Sequence, residues 1–134
     1  MVIYKVLFIG NKLNELLGTL LLGRCKDENG KSLLYKRRTT SVPKALEQMI
    51  HTMTFMKYDR RFRTYEVYCE DEIKTFLENP TTQYQVGPKQ VDKANAYNDT
   101  TAFINEDSNY LSARAPADSY FLTKKLIDKL YSLS

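Results

Sequence analysis

The chain is poor in the residues around which compact chemical sites are usually built. Its two cysteines, Cys25 and Cys69, lie far apart, and neither has a CxxC partner or a second metal-ligand pair beside it. A disulfide framework and a zinc site therefore have no basis in the sequence, and a reducing, cytoplasmic location is expected. His51 is the sole histidine; with no GxSxG or similar elbow, a Ser–His–Asp or Cys–His hydrolase would depend on tertiary contact alone. It stands four residues after Glu47, so the two side chains can meet on one helix face, as surface pairs commonly do. The absence of a GxGxxG or Walker-type loop weighs against nucleotide binding by those routes. No apolar run approaches the ~20 residues that span a bilayer, and a mean hydropathy of -0.48 argues against a membrane class. Residues 1–9 lack a basic leader and a small-residue cleavage site and read as a strand of the folded domain. Neither an internal repeat nor a low-complexity tract is found.

What remains is an ordinary globular composition. The length of 134 residues falls in the one-domain range, so residues 1–134 are expected to form a single domain around one core. The net charge of +4 is unevenly spread: residues 1–67 carry 13 Lys/Arg against 6 Asp/Glu, and residues 68–134 carry 7 against 10. Such a split fits a basic face for a polyanion with a separate acidic region, or two solvated surfaces of unequal charge.

The patterning predicts alternating strands and helices. After the first strand and a polar turn, the apolar run 19–25, the Asn29-Gly30 turn and residues 32–38 predict an antiparallel hairpin, because Asn and Gly tolerate the positive φ of a tight turn. Thr39, Thr40 and Ser41 offer N-caps and Pro43 suits a first helical turn. The helix they introduce carries Leu46, Met49, Ile50, Met53 and Met56 on one stripe, expected to be buried, with Lys44, Glu47, His51 and Thr54 along a flank. The three methionines of that stripe read as core filler. A basic connection over 58–63 leads to an alternating strand over 64–69. Glu70, Asp71 and Glu72 open a helix running to Leu77, which Asn79-Pro80 ends. A loop over 80–90, a weaker helix over 90–105 and a strand over 109–115 follow. Pro116-Ala117-Asp118 introduces a terminal helix with Phe121, Leu122, Leu126, Ile127, Leu130 and Tyr131 as its apolar face.

This order resembles the ribonuclease H fold over nearly the whole chain: an α/β fold with a mixed sheet, whose N-terminal antiparallel hairpin is followed by helix-strand-helix units. Thr39-Thr40 leading into a helix that carries Glu47, a strand ending in Asp71 at the mouth of a helix, and Asp118 near the start of the last helix add to the likeness. In that family four carboxylates hold two magnesium ions. The resemblance therefore implies Glu47, Asp71 and Asp118 as catalytic, Mg²⁺-binding residues, since hard Mg²⁺ prefers oxygen and a pair of ions stabilises both the attacking and the leaving oxygen of a phosphodiester. The family's first-strand aspartate has no counterpart in Phe8-Ile9-Gly10-Asn11, where Glu15 and Glu70 are the nearby acids that could replace it. Its histidine-bearing loop is also missing, since residues 112–116 contain no histidine. Both departures imply reduced or lost catalysis. Each retained acid also has a structural reading, Asp71 and Asp118 as helix N-caps and Glu47 as a solvated flank.

Cations and rings interleave in residues 35–38 and 57–65. Lys36, Arg37, Arg38, Arg60, Arg61 and Arg63 suit backbone phosphates, and the adjoining Tyr35, Tyr58, Phe62 and Tyr65 suit either base stacking or the core. The sequence thus leads to a nucleic-acid-binding, ribonuclease H-like domain on RNA or DNA with reduced or lost catalytic activity. An active Mg²⁺-dependent nuclease on RNA or an RNA–DNA hybrid, and a protein-binding adaptor or inhibitor, are alternatives on the same scaffold.

Overall fold

The computed structural model describes residues 15–58, 66–89 and 98–132, with residues 15–17 and 54–58 described in backbone alone. The expected first strand, the run containing Arg60, Arg61 and Arg63, the start of the expected strand over 64–69 and the first half of the expected helix over 90–105 lie outside the described residues.

The first described element is a helix, α1 (Glu15–Arg24), where the first arm of a hairpin is expected. Its leucines, Leu16, Leu17, Leu20, Leu21 and Leu22, are strong helix formers, and Thr19 is the one β-branched residue among them, so local preference opposes a strand. Leu20 is buried, and Gly23 sits against Phe76 of α3 (Cys69–Phe76), where a Cβ would stand 2.4 Å from the ring. The two helices approach closely here only because residue 23 has no side chain.

The Asn29-Gly30 turn forms, with Gly30 at φ +73 and Asp27 Oδ1 accepting the Asn29 and Lys31 N–H groups at 2.9 Å. It joins the end of a helix to irregular chain. One antiparallel bridge, Lys26 to Ser32, precedes consecutive turns over 33–36, so the expected return strand is replaced as well.

The helix after Pro43 is present as α2 (Lys44–Tyr58). Its apolar stripe is not buried as expected: Met49, Ile50 and Met53 are exposed, Met53 by 72%. Leu46 is half-buried, and the Met56 side chain lies outside the described residues. The hydrogen bonds that hold α2 to α3 come from its first turn, at Lys44 and Glu47, away from Met49 and Met53. Residues 66–68 are not strand, and α3 already begins at Cys69; the acids at 70–72 favour an early start by facing its free N–H groups. A single turn, α4 (Pro80–Gln83), interrupts the expected loop, with Pro80 at its first position.

Residues 98–103 are irregular and lead into β1 (Ile104–Asp107), which pairs antiparallel with β2 (Tyr110–Ala113) from Ile104 opposite Ala113 to Asp107 opposite Tyr110. β2 lies inside the expected strand over 109–115. Its partner replaces the end of an expected helix, because Asp107, Ser108 and Asn109 are turn formers and Ser108 takes φ 56. A 3-10 turn, Pro116–Asp118, leads into α5 (Ser119–Tyr131), the expected terminal helix. The chain is thus a mixed helix–strand protein with a two-stranded antiparallel sheet among the described residues.

Side chains alternate across the hairpin. Asn105, Asp107, Tyr110 and Ser112 share one face and meet the extended segment 38–40, whereas Glu106, on the other, reaches Lys129 of α5. Segment 38–40 is gripped from its second side by residues 83–85, through Thr39 N–H to Gln83 O (2.9 Å) and Gln85 N–H to Thr39 O (2.8 Å). Beneath lies an apolar cluster of Leu20, Leu34, Cys69, Ile73, Leu77 and Tyr84.

A second, polar centre holds the C-terminal third. Arg114 and Asp118 are both 0% exposed and pair at 2.8 Å. Arg114 also donates to Pro88 O at 2.5 Å and Thr101 O at 2.8 Å, and Asp118 accepts the N–H groups of Phe103 at 3.2 Å and Ala115 at 3.1 Å. Three separate stretches of chain, at 88, 101–103 and 114–118, therefore converge on one ion pair. Removing either partner strands a buried charge, and Asp118→Asn or Arg114→Met is expected to cost about 3–5 kcal/mol in urea unfolding. The joint variant should recover part of that loss; purely additive costs would show that the two groups are not coupled.

Candidate functional site

The three acids of the suspected metal set are all employed, but not together. Glu47, in the first turn of α2, turns to α3, where its Oε2 accepts the Cys69 N–H at 2.9 Å. α3 needs this help, since its own N-cap is Tyr68, which offers no side-chain cap. The favour is returned: Glu70 of α3 accepts the Lys44 N–H at the start of α2 at 2.7 Å, and also binds Lys74 Nζ at 2.5 Å. Two helix N-termini thus face each other, each capped by the other's glutamate. Asp71 pairs with Lys44 Nζ at 2.7 Å, and this bond, with the charge of Asp71, raises the Lys44 pKa. The pair is more than a third exposed on both sides, so solvent screens it and it adds little to stability.

Asp118 belongs to a different set of elements. Its Oδ1 accepts from Phe103 N–H and Arg114, and its Oδ2 from Ala115 N–H and the Arg114 Nε, so both oxygens are taken from two sides. Among the described residues, no three His, Cys, Asp or Glu side chains are grouped to hold a metal ion. The donor set does not fit a pair of magnesium ions: Asp118 is fully buried against a guanidinium, Glu47 caps α3, and Asp71 pairs with the Lys44 ammonium. The Glu15 side chain lies outside the described residues, and Glu70 is committed to Lys44 and Lys74.

The basic residues divide in the same way. Arg60, Arg61 and Arg63 lie outside the described residues. Lys36 and Arg38 are exposed and Arg37 is half-buried. Their backbone is fixed: Arg38 N–H donates to Asp107 Oδ2 at 2.8 Å, Arg38 C=O accepts from Asn105 Nδ2 at 2.6 Å, and Arg37 C=O accepts from Gln83 Nε2 at 3.1 Å. The Arg38 guanidinium makes one long contact, 3.4 Å, to Glu106 O. Tyr35, just upstream, has Lys31 Nζ 4.1 Å from its ring centre.

Next to this segment lies a cluster of buried hydroxyls. Thr39 Oγ1 is 2.8 Å from Tyr110 OH, Ser41 Oγ is 2.9 Å from Tyr84 OH, and Ser112 Oγ accepts the Thr40 N–H at 3.1 Å. Thr40 Oγ1 is buried without a partner, a local cost of about 1–3 kcal/mol. Sequence reading missed Arg114, although a signal was there: opposite charges four residues apart, Arg114 and Asp118, among Ala113, Ala115, Pro116 and Ala117.

Burial sets the acid chemistry of the core. It pushes the Cys69 thiol from 9.0 up to about 12, with the Glu47 charge adding to the effect. Burial likewise raises Tyr84 and Tyr110, against the opposing hydrogen bonds from Ser41 and Thr39. Above 9.0 the unfolded chain releases the Cys69 proton first, so the folded state holds more protons and loses stability as pH rises toward 12. The urea midpoint should be flat below pH 9.0 and fall between there and pH 12, with a shallower fall in Cys69→Ala. A midpoint independent of alkaline pH would contradict the burial of these groups.

No family model, curated protein or solved structure matches this chain.

Proposed function

We propose that the chain is a nucleic-acid-binding domain that works through a backbone-anchored basic segment, Lys36-Arg37-Arg38, and without a carboxylate metal centre. The observation that carries this reading is how the cations are shared out. Arg24, Lys44, Lys74, Arg114, Lys124 and Lys129 each face a carboxylate of the fold. The side chains of Lys36, Arg37 and Arg38, like those of Lys26, Lys31, Lys89 and Lys125, have no carboxylate partner among the described residues, but 36–38 is the run of three in which the backbone of Arg37 and Arg38 is clamped between the hairpin and residue 83. A cationic segment already fixed in place loses little entropy on meeting phosphates, and its charge is not spent internally. Of the ribonuclease H likeness, the proposal keeps the polyanion and drops the metal chemistry. Arg60, Arg61 and Arg63 extend the basic run in sequence. Two free cysteines, one exposed and one buried, suit a reducing cytoplasm. No helix among the described residues is long and apolar enough to cross a membrane.

The exposed Met49, Ile50 and Met53 of α2 favour a second reading, a protein partner. Nuclease treatment separates the two, since partners bridged by nucleic acid are then lost from a pull-down.

Binding of a labelled oligonucleotide at graded salt tests the first reading. Affinity should fall steeply with salt, and Lys36→Gln with Arg37→Gln and Arg38→Gln should lower the logarithmic slope by about one per removed contact. Thermal unfolding of this surface variant should be nearly unchanged. Absence of binding, or a slope identical in the variant, would refute the assignment.

A further inference from the structure

We propose that Lys31 is a fourth phosphate contact, held in place by the Tyr35 ring, so that this end of the basic segment meets the backbone of a nucleic acid and not its bases; this rests on the reading of Lys36-Arg37-Arg38 as phosphate contacts. The Lys31 ammonium lies 4.1 Å from the centre of the Tyr35 ring. The ring face that it covers is closed to a base. A ring attracts an ammonium through its quadrupole without cancelling the charge, so the cation is positioned and still available to an anion.

Two other lysines that lie over rings differ from Lys31 in this respect. Lys44 over Tyr68 and Lys74 over Tyr84 are each paired with a carboxylate, Asp71 and Glu70. Lys125 stands farther from its ring, 5.8 Å from the centre of Phe121, and belongs to α5. Lys31 is exposed and has no carboxylate partner among the described residues. Asp27, close to it in sequence, directs Oδ1 to the Asn29 and Lys31 backbone N–H groups.

The frame beneath the pair is fixed at the same point as the basic run. Leu34 is 0% exposed and ties the turn into the apolar cluster. Tyr35 N–H donates to Ser32 O, and Tyr35 C=O accepts from the Glu78 N–H and from Gln83 Nε2, each at 2.9 Å. Gln83 Nε2 also donates to Arg37 O at 3.1 Å. One side-chain amide therefore fastens residue 35, whose ring holds Lys31, together with residue 37 of the run. Lys36 follows Tyr35 by a single peptide, so the ammonium is brought to the upstream end of 36–38. Cations placed in advance lose little entropy on meeting phosphates. A phosphate backbone presents the same charge at every base sequence, and a ring engaged in holding a cation adds no readout of the bases.

The full chain is titrated at graded salt with oligodeoxythymidylate and with an abasic strand of equal length, which keeps the phosphates and lacks the bases. Lys31→Gln should lower the logarithmic salt slope by about one on both strands. Tyr35→Leu removes the ring and keeps every charge, so affinity should fall about two- to fivefold, equally on both strands and with the slope unchanged. Tyr35→Phe, which keeps the ring, should bind as the unaltered chain does. Because Lys31 is exposed, Lys31→Gln carries the test even where Tyr35→Leu does not fold. A slope unmoved by Lys31→Gln but lowered by the changes at 36–38 would overturn this inference and leave the first reading standing. A loss in Tyr35→Leu confined to oligodeoxythymidylate would mean that the ring stacks on a base, which contradicts the proposal. Tyr35→Phe as weak as Tyr35→Leu would assign the effect to the hydroxyl and also contradict it. Absence of salt-dependent binding to either strand would overturn both readings.

Discussion

A guanidinium and a carboxylate withdrawn completely from water stay charged only if every remaining donor and acceptor finds a partner. Arg114 and Asp118 meet that condition by drawing in the backbone of Pro88, Thr101, Phe103 and Ala115. The pair therefore does more than link two neighbouring side chains. It fixes where β2 ends, where α5 begins and how the chain before β1 is folded back. Gly87 belongs to the same arrangement, since a Cβ there would lie 2.6 Å from the Phe103 ring and 2.9 Å from Arg114 Cδ. With α5 and the hairpin so placed, the polar face of the hairpin is available to hold segment 38–40.

That placement separates two kinds of charge. Carboxylates are used inward or sideways: Asp118 in the buried pair, Glu47 and Glu70 as crossed caps, Glu72 on Arg24, Glu106 on Lys129. A group already neutralised by an N–H or a guanidinium is a poor ligand for a hard cation, which must compete with bonds the fold needs. The cations at 36–38 are not used in this way, so the positive field they produce is directed to solvent. Function is accordingly assigned to charge that folding leaves unspent.

Much of the local structure was legible in the sequence. Pro43, with the small hydroxyl residues before it, announced α2, the acids at 70–72 announced α3, and Pro116 announced α5, because capping and dipole effects act within a turn or two of the residue responsible. The Asn29-Gly30 turn was equally plain. The nature of its arms was not: a leucine run without alternation is ambiguous between helix and strand, and packing of Gly23 on Phe76 decided for helix. The exposed stripe of α2 was misread for a related reason, since periodicity reveals an amphipathic face but not whether a neighbour covers it. Glu47, Asp71 and Asp118 were read from the sequence as metal ligands, or else as a solvated flank and two helix caps; in the structure they meet the Cys69 N–H, Lys44 and Arg114. Coordinates were needed for Cys69 and Lys44, which tertiary structure brings to Glu47 and Asp71, whereas Arg114, four residues before Asp118, was within reach of the sequence.

Whether the acids are structural or metal-binding is decided most directly by adding Mn²⁺ to isotope-labelled protein and recording amide relaxation residue by residue. The expected result is weak, scattered broadening at exposed carboxylates, Asp71 among them, with the amides around Asp118 unaffected and no common centre for residues 47, 71 and 118. Strong broadening centred jointly on residues 47, 71 and 118, saturating at low Mn²⁺, would mean that the three acids do share an ion and that the buried pair is not what holds this end of the molecule.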